Sequence, residues 1–314
     1  MSAITEKMGK KKDKTFDLFI MLTEEQLAQF HRDGCLAIEN YLDADTVASL
    51  NKEIATLLNN IDLKSHPLTK FTTHEDEQHV GNDYFINSSD KIRFFFEVDA
   101  FEDGELTKPV PRAINKIGHG LHLHNQAFRN VTLTKDVADI CRQLEFKDPR
   151  ALQSMVIIKQ PEIGGKVPSH QDGEFLYTEP QSCIGFWFAL EKCTLSNGCL
   201  SFVPGSHKKN GIIRRFVKDF ENGGTKFVDP VSLRDTTACF DPSDSDFVNV
   251  EIPAGTLVLI HNRVLHKSEK NLSQLSRNAY TFHVIDGTAK YDELNWLQMP
   301  PERPQGAANV PRVY

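Results

Sequence analysis

Past Pro149 the chain changes texture. Leu152–Gln160, Cys183–Leu190, Cys199–Val203, Phe247–Ile252, Thr256–His261 and Ala279–Ile285 are short β-branched and aromatic runs separated by glycine, proline and asparagine turns. Runs of this length are short for helices, and their residue types suit a pleated, half-buried surface. Strung together at turn spacing, they predict a β-sandwich or barrel. No internal repeat is visible.

The first half reads differently. Thr23 with Gln26 three residues on has the spacing of a capping box; Leu27 and Phe30 give the helix that follows an apolar side, and Gly34 stops it. Cys35–Leu42 reads as a short strand. A second helix starts near Asp43 or Asp45 and carries Val47, Leu50, Ile54, Leu57, Leu58 and Ile61 at helical spacing. Lys64–Val80 is polar and aperiodic, hence a loop, and Lys91–Val98 is strand-like. Ile114–Val131 is read as a helix despite Gly118 and Gly120, and Asp136–Leu144 as another with Val137, Ile140, Cys141 and Leu144 inward. The expected organisation is mostly β with flanking α: a flexible basic extension over 1–22, then a single domain over 23–314. That domain has a helical part to about 148 and a β core over about 149–290.

Composition removes several function classes. A hydrophobic share of 39% against 25% charged residues supports a packed core rather than a disordered chain. The net charge of -7 repels phosphate backbones, and the one basic cluster, Lys10, Lys11, Lys12 and Lys14, sits in the terminal tail, so no nucleic-acid partner is expected. The apolar run Phe16–Leu22 contains Asp17 and is too short for a secretory core, and no stretch approaches the ~20 apolar residues of a membrane span. The six cysteines form no C-x-x-C pair and read as reduced thiols. The expectation is a soluble, cytoplasmic monomer that acts on a small molecule.

The chemistry is carried by histidine and aspartate. Two imidazoles and one carboxylate on one face of an octahedral metal leave adjacent positions open for a chelating co-substrate and dioxygen. The sequence trace is H-x-D followed by a distant histidine. Three such triplets occur: His31-Arg32-Asp33, His74-Glu75-Asp76 and His170-Gln171-Asp172. His31 falls at a helix C-terminus, where a cation favours the dipole, and His74 lies in an acidic stretch without periodicity. His170 alone follows a strong strand and a glycine turn and precedes further strands, whose rigidity suits a ligand set. The distal ligand is assigned to His266, delivered by the strand Thr256–His261. Arg277, eleven residues on, opens the next strand with a planar donor suited to a carboxylate. His207 with Lys218 has the same offset, but the residues between them are polar. His119, His122 and His124 form a denser cluster, read as one face of a helix with no carboxylate at ligand spacing.

Beyond these residues, Lys91–Glu97, Ile114–His119, Gln153-Ser154-Met155, Lys159-Gln160-Pro161, Asn197–Leu200 and Pro204–His207 give the chain a pattern that resembles the phytanoyl-CoA dioxygenase family, most of all its domain-containing protein 1 branch, over about Thr23 to Leu297. The resemblance implies a double-stranded β-helix, or jelly roll, with Fe(II) on His170, Asp172 and His266. It implies 2-oxoglutarate with its far carboxylate on Arg277, and Lys116, Met155, Gln171, Trp187 and Ser268 lining the co-substrate pocket. The implied reaction is hydroxylation with O2, releasing succinate and CO2, with ascorbate as reductant. Asp172 stands where a halogenating relative has a small residue, which favours hydroxylation.

The family name suggests lipid metabolism with a fatty acid or acyl-CoA as substrate. No stripe of cations for a CoA phosphate tail and no peroxisomal address accompany it, although the family analogy makes the peroxisome the alternative location. Two rivals remain at this point: a non-catalytic 2-oxoglutarate- or metal-binding module on the same scaffold, and a zinc hydrolase using the same ligands.

Overall fold

The computed structural model describes residues 21–71, 83–209, 211–229, 241–299 and 310–314. Two antiparallel sheets organise it. The major sheet runs Cys35–Ile38, Leu257–His261, Ile184–Ala189, Arg277–Asp286, Pro149–Lys159, Ile114–His119 and Ile92–Phe96. The minor sheet runs Val248–Val250, Leu200–Phe202, His266–Ser268 and Val167–His170. One cavity takes side chains from both sheets, so the arrangement is the expected jelly roll, mostly β with flanking helices.

Strand alternation divides the major sheet into two chemically different faces. Val156, Ile158, Phe186, Phe188, Leu257, Leu259, Tyr280, Phe282 and Val284 join one apolar cluster with the helices. Their neighbours Gln153, Met155, Ile157, Lys159, Trp187, Arg277, Thr281 and His283 line the cavity instead. The helical side is built as its sequence dictates. Helix Glu24–Asp33 starts on the Thr23–Gln26 capping box and ends at Gly34, whose φ of 79° is a left-handed cap. Helix Ala44–Asn59 is capped by the Asp43 carboxylate on the Thr46 amide and buries Leu50, Ile54 and Leu58. Helices Gln126–Thr132 and Lys135–Gln143 add Phe128, Val137 and Ile140.

Three expectations change. Ile114–His119 is a strand between Ile92–Phe96 and Pro149–Lys159, and only Leu121–His124 and Gln126–Thr132 are helical beyond it. Its glycines mark close packing: a Cβ on Gly120 would stand 2.9 Å from the Asp90 carbonyl carbon, and one on Gly118 would stand 3.5 Å from the Met155 Cβ. Leu22 is not part of an extension, because it is buried in the core and its backbone bonds the Gln143 side chain in both directions. The strand over Cys35–Leu42 stops at Ile38. The basic tail over 1–20 and the His74 triplet lie outside the described residues. No described helix is long and apolar enough to cross a membrane.

Two stability predictions follow from this packing. Phe186 and Phe282 are register partners with stacked rings 4.9 Å apart, both fully buried, so Phe282→Ala should cost roughly 3 to 5 kcal/mol in denaturant unfolding. Phe220→Ala, at a 73% exposed site, should stay within about 0.5 kcal/mol of the parent.

A further prediction concerns pH. Burial holds His119 well below its ordinary 6.5 and, with the neighbouring His207, Arg263 and His31, brings His261 down to about 3. Both folded values lie below the unfolded one, so between these limits the unfolded chain binds more protons and stability falls as pH is lowered. Unfolding midpoints should drop from pH 7 to pH 4, and His261→Gln should flatten that drop; a parallel profile for the variant would remove His261 from the account.

Candidate metal centre

The site is assembled by strand register. His170 ends the strand Val167–His170, and His266 opens His266–Ser268, its antiparallel partner, with the two residues directly paired. Their rings lie 4.2 Å apart. His266 therefore comes from its own short strand in the minor sheet, not from Leu257–His261 itself, which ends before the turn leading to it. Asp172 begins the helical turn Asp172–Phe175 immediately after His170. Its Oδ1 is 3.9 Å from the His170 Nε2 and 3.7 Å from the His266 Nε2. One donor atom from each of the three residues lies within 4.8 Å of the others, and this is the one such group among the described residues.

The donor atoms are set for a metal. His170 Nδ1 donates to the Pro168 carbonyl at 2.8 Å and His266 Nδ1 donates to the Val264 carbonyl at 3.0 Å. A carbonyl only accepts, so each ring carries its proton on Nδ1 and turns a lone pair on Nε2 inward. Burial and the adjacent His266 push His170 down to about 4, against the pull of Asp172, which keeps this imidazole neutral at physiological pH. Burial alone would raise the Asp172 carboxyl. The imidazoles of His283, His266 and His170 outweigh it and hold the group below the usual carboxylate range.

The same cavity, of about 280 Å³, holds most of the other expected residues: Lys116, Met155, Trp187, Ser268 and Arg277 all line it. Arg277 is only 1% exposed, its Nε and Nη1 have no hydrogen-bond partner among the described residues, and its guanidinium stands 5.3 Å from the centre of the Trp187 ring. Unmet buried donors cost about 1 to 3 kcal/mol each, so this guanidinium suits an anion that would enter the cavity. Lys159 is its register partner across the sheet, pushed down to about 7 by burial and by the Arg277 charge, with its amine on the Gly165 and Glu269 carbonyls. Lys116 is brought to about 7 by burial, with its amine 3.6 Å from the centre of the Phe71 ring. The Arg277 guanidinium, with the partly charged amines of Lys159 and Lys116 on the same cavity, fits a carboxylate, and a two-imidazole, one-carboxylate donor set fits Fe(II).

Gln171 departs from the expectation. Its side chain is not on the cavity: Nε2 donates to the Gly211 and Arg263 carbonyls at 3.0 and 2.8 Å, and Oε1 accepts from the Ile213 amide. It ties the His170 segment to the turn that precedes His266. The rival cluster does not converge either. His119 ends a strand and bonds the Ser88 hydroxyl, His122 bonds the Ser154 hydroxyl and His124 reaches the Asp90 carbonyl, so they form no metal-ready group. His207 packs on His261 and reaches the His31 carbonyl, away from the cavity lining.

Sequence reading missed Lys159 and His283, and with them an aromatic wall of Phe85, Phe175, Phe216, Phe227 and Trp296. The two polar residues were reachable, because alternation from Met155 and from Arg277 puts both on the cavity face. The wall depends on the hairpin Arg215–Lys218 and Thr225–Val228, which no pattern had marked.

Comparison with known proteins gives a consistent result. The sequence profile of the phytanoyl-CoA dioxygenase (PhyH) family matches residues 30–279. The phytanoyl-CoA dioxygenase domain-containing protein 1 of Bos taurus is 43% identical over 291 residues, covering 90% of this chain and 97% of its own. The homologue of that protein in Caenorhabditis elegans is 42% identical over 274 residues, covering 86% and 93%. Among solved structures, the epimerase SnoN in complex with Fe3+, alpha ketoglutarate and nogalamycin RO superposes with a TM-score of 0.61 at 18% identity, over 93% of this chain and 98% of its own; that likeness is one of fold.

The geometry makes a direct prediction for metal binding. His170→Ala and His266→Ala should each abolish tight binding of a divalent metal in a calorimetric titration, while His124→Ala should bind as the parent does. Equal binding by all three variants would place the metal elsewhere.

Proposed function

This chain belongs to the phytanoyl-CoA dioxygenase family, and we propose that it holds Fe(II) on His170, Asp172 and His266, takes 2-oxoglutarate against Arg277, and hydroxylates a small, largely apolar organic acid or its acyl-CoA. When bound, the metal with 2-oxoglutarate and dioxygen supplies an oxidative decarboxylation, giving succinate and CO2, that is coupled to oxidation of a substrate C–H bond.

The chain's own residues do the rest. His170 and His266 present lone pairs because their other nitrogens are spent on backbone carbonyls. Arg277 offers the N–H groups of Nε and Nη1 to the far carboxylate, and the partly charged amines of Lys159 and Lys116 line the same cavity. Trp187 and Met155, both buried, add apolar surface to the cavity beside them. Phe175, Phe216 and Phe227, with ring centres 5.0 to 5.9 Å apart, offer an apolar surface on the same cavity for a hydrocarbon portion of the substrate. The setting that goes with this reading is a cytoplasmic monomer acting in lipid metabolism, with ascorbate keeping the metal reduced.

The observation that carries the reading is Arg277, a buried guanidinium with unmet donors in the cavity that holds the triad. A zinc hydrolase has no use for it, and a module that only bound 2-oxoglutarate would not need three convergent ligands on the same cavity. Purified protein with Fe(II), labelled 2-oxoglutarate and ascorbate should release CO2 in an oxygen-dependent way, and addition of fatty acids or acyl-CoAs should raise succinate formation above the uncoupled level. Arg277→Lys should raise the KM for 2-oxoglutarate by roughly tenfold or more, because a point charge replaces a two-pronged donor, while metal affinity stays near the parent value. An unchanged KM would remove Arg277 from the co-substrate site.

A further inference from the structure

The metal-facing carboxylate has a second side. Asp172 turns Oδ1 toward His170 and His266, and its other oxygen, Oδ2, lies 3.2 Å from the Nε2 of His283. Oδ2 is buried and has no aligned hydrogen-bond partner among the described residues, so its 3.2 Å approach to the His283 Nε2 is a polar contact within reach of one. His283 is itself only 6% exposed and stands on the cavity face of Arg277–Asp286. Its ring is held from behind: Gln153 on the neighbouring strand, its register partner, donates through Nε2 to the His283 Nδ1 at 3.2 Å. With Nδ1 accepting, the ring's proton sits on Nε2, the nitrogen that faces the carboxylate.

Space for this meeting is left by a glycine. Gly185 pairs with His283 across the sheet, and a Cβ there would stand 3.1 Å from Asp172 Oδ2 and 3.5 Å from His283 Nε2. Three strands therefore contribute to one arrangement: Gln153 orients His283, Gly185 makes room, and His283 faces Asp172.

We propose that His283 is a positioning residue for the metal centre, holding Oδ2 of Asp172 so that the carboxylate offers Oδ1 alone and stays a one-oxygen ligand. A carboxylate free to rotate could close both oxygens on the metal and occupy a position the co-substrate or dioxygen needs. Pinning one oxygen leaves that position open and lowers the ordering cost of binding the metal. This rests on the reading of His170, Asp172 and His266 as the ligands.

Anaerobic titration of the full-length apoprotein with Co(II), followed by visible absorption, tests it without turnover. His283→Leu should weaken Co(II) binding by roughly 10- to 100-fold and alter the ligand-field absorption envelope, with the apoprotein melting near the parent temperature. His283→Gln, which keeps an N–H near the Nε2 position, should recover most of the affinity and the parent envelope. Gln153→Leu should shift both readouts in the same direction by less, and covers the case in which His283→Leu fails to fold. Parent-like binding and spectrum in His283→Leu, a glutamine variant no better than the leucine one, or no effect of Gln153→Leu would each overturn the proposal. Asp172→Ala separates the two levels: if it loses Co(II) while His283→Leu does not, the role of His283 fails alone, and if it also binds as the parent, the ligand assignment fails with it.

Discussion

The pairing of His170 with His266 across two short antiparallel strands is the contact on which the rest of the site depends. Each of these strands is three or four residues long and contributes little stability by itself. Their register is held from outside: Gln171 spends its whole amide on the backbone at Gly211, Ile213 and Arg263, and Leu200–Phe202 pairs with the other edge of His266–Ser268. A slip of one residue would turn either histidine away from Asp172 and leave no three-donor group.

The major sheet supplies the other half of the logic through alternation. Its helix-facing side is aromatic and aliphatic and gains its stability from burial; its cavity side carries Arg277, Lys159, Gln153 and His283, groups that are expensive to bury. That expense is tolerable only because the apolar face is large and continuous with the helices. The cavity face can then keep unmet donors aimed at a ligand, which separates the stability of the scaffold from the chemistry it presents.

Much of this was legible in the sequence. Run length, turn spacing and β-branched content identified the strands after Pro149, and Thr23, Gln26 and Gly34 marked the first helix by cap chemistry. The triad was legible because His170 follows a strong strand and a glycine turn and precedes further strands, whereas His31 sits at the end of a helix. The misreadings have physical causes. Ile114–His119 has apolar residues that fit either period, and Gly118 and the following Gly120, which a helix tolerates, here let the strand pack close to its neighbours. Gln171 sits between two ligands, yet a side chain flanked by metal ligands on a turning backbone can point either way, and here it points into protein. His283 was visible only as part of a strand, because its role comes from Asp172 and Gly185, which lie far from it in sequence and next to it in the fold.

The account is tested most directly by a crystal structure of the full chain grown without oxygen in the presence of Mn(II) and 2-oxoglutarate. It predicts a metal bound by the Nε2 atoms of His170 and His266 and by Oδ1 of Asp172, with the far carboxylate of 2-oxoglutarate gripped by Arg277. A metal seated on other residues, or a bound metal with Arg277 contacting no part of the co-substrate, would contradict it.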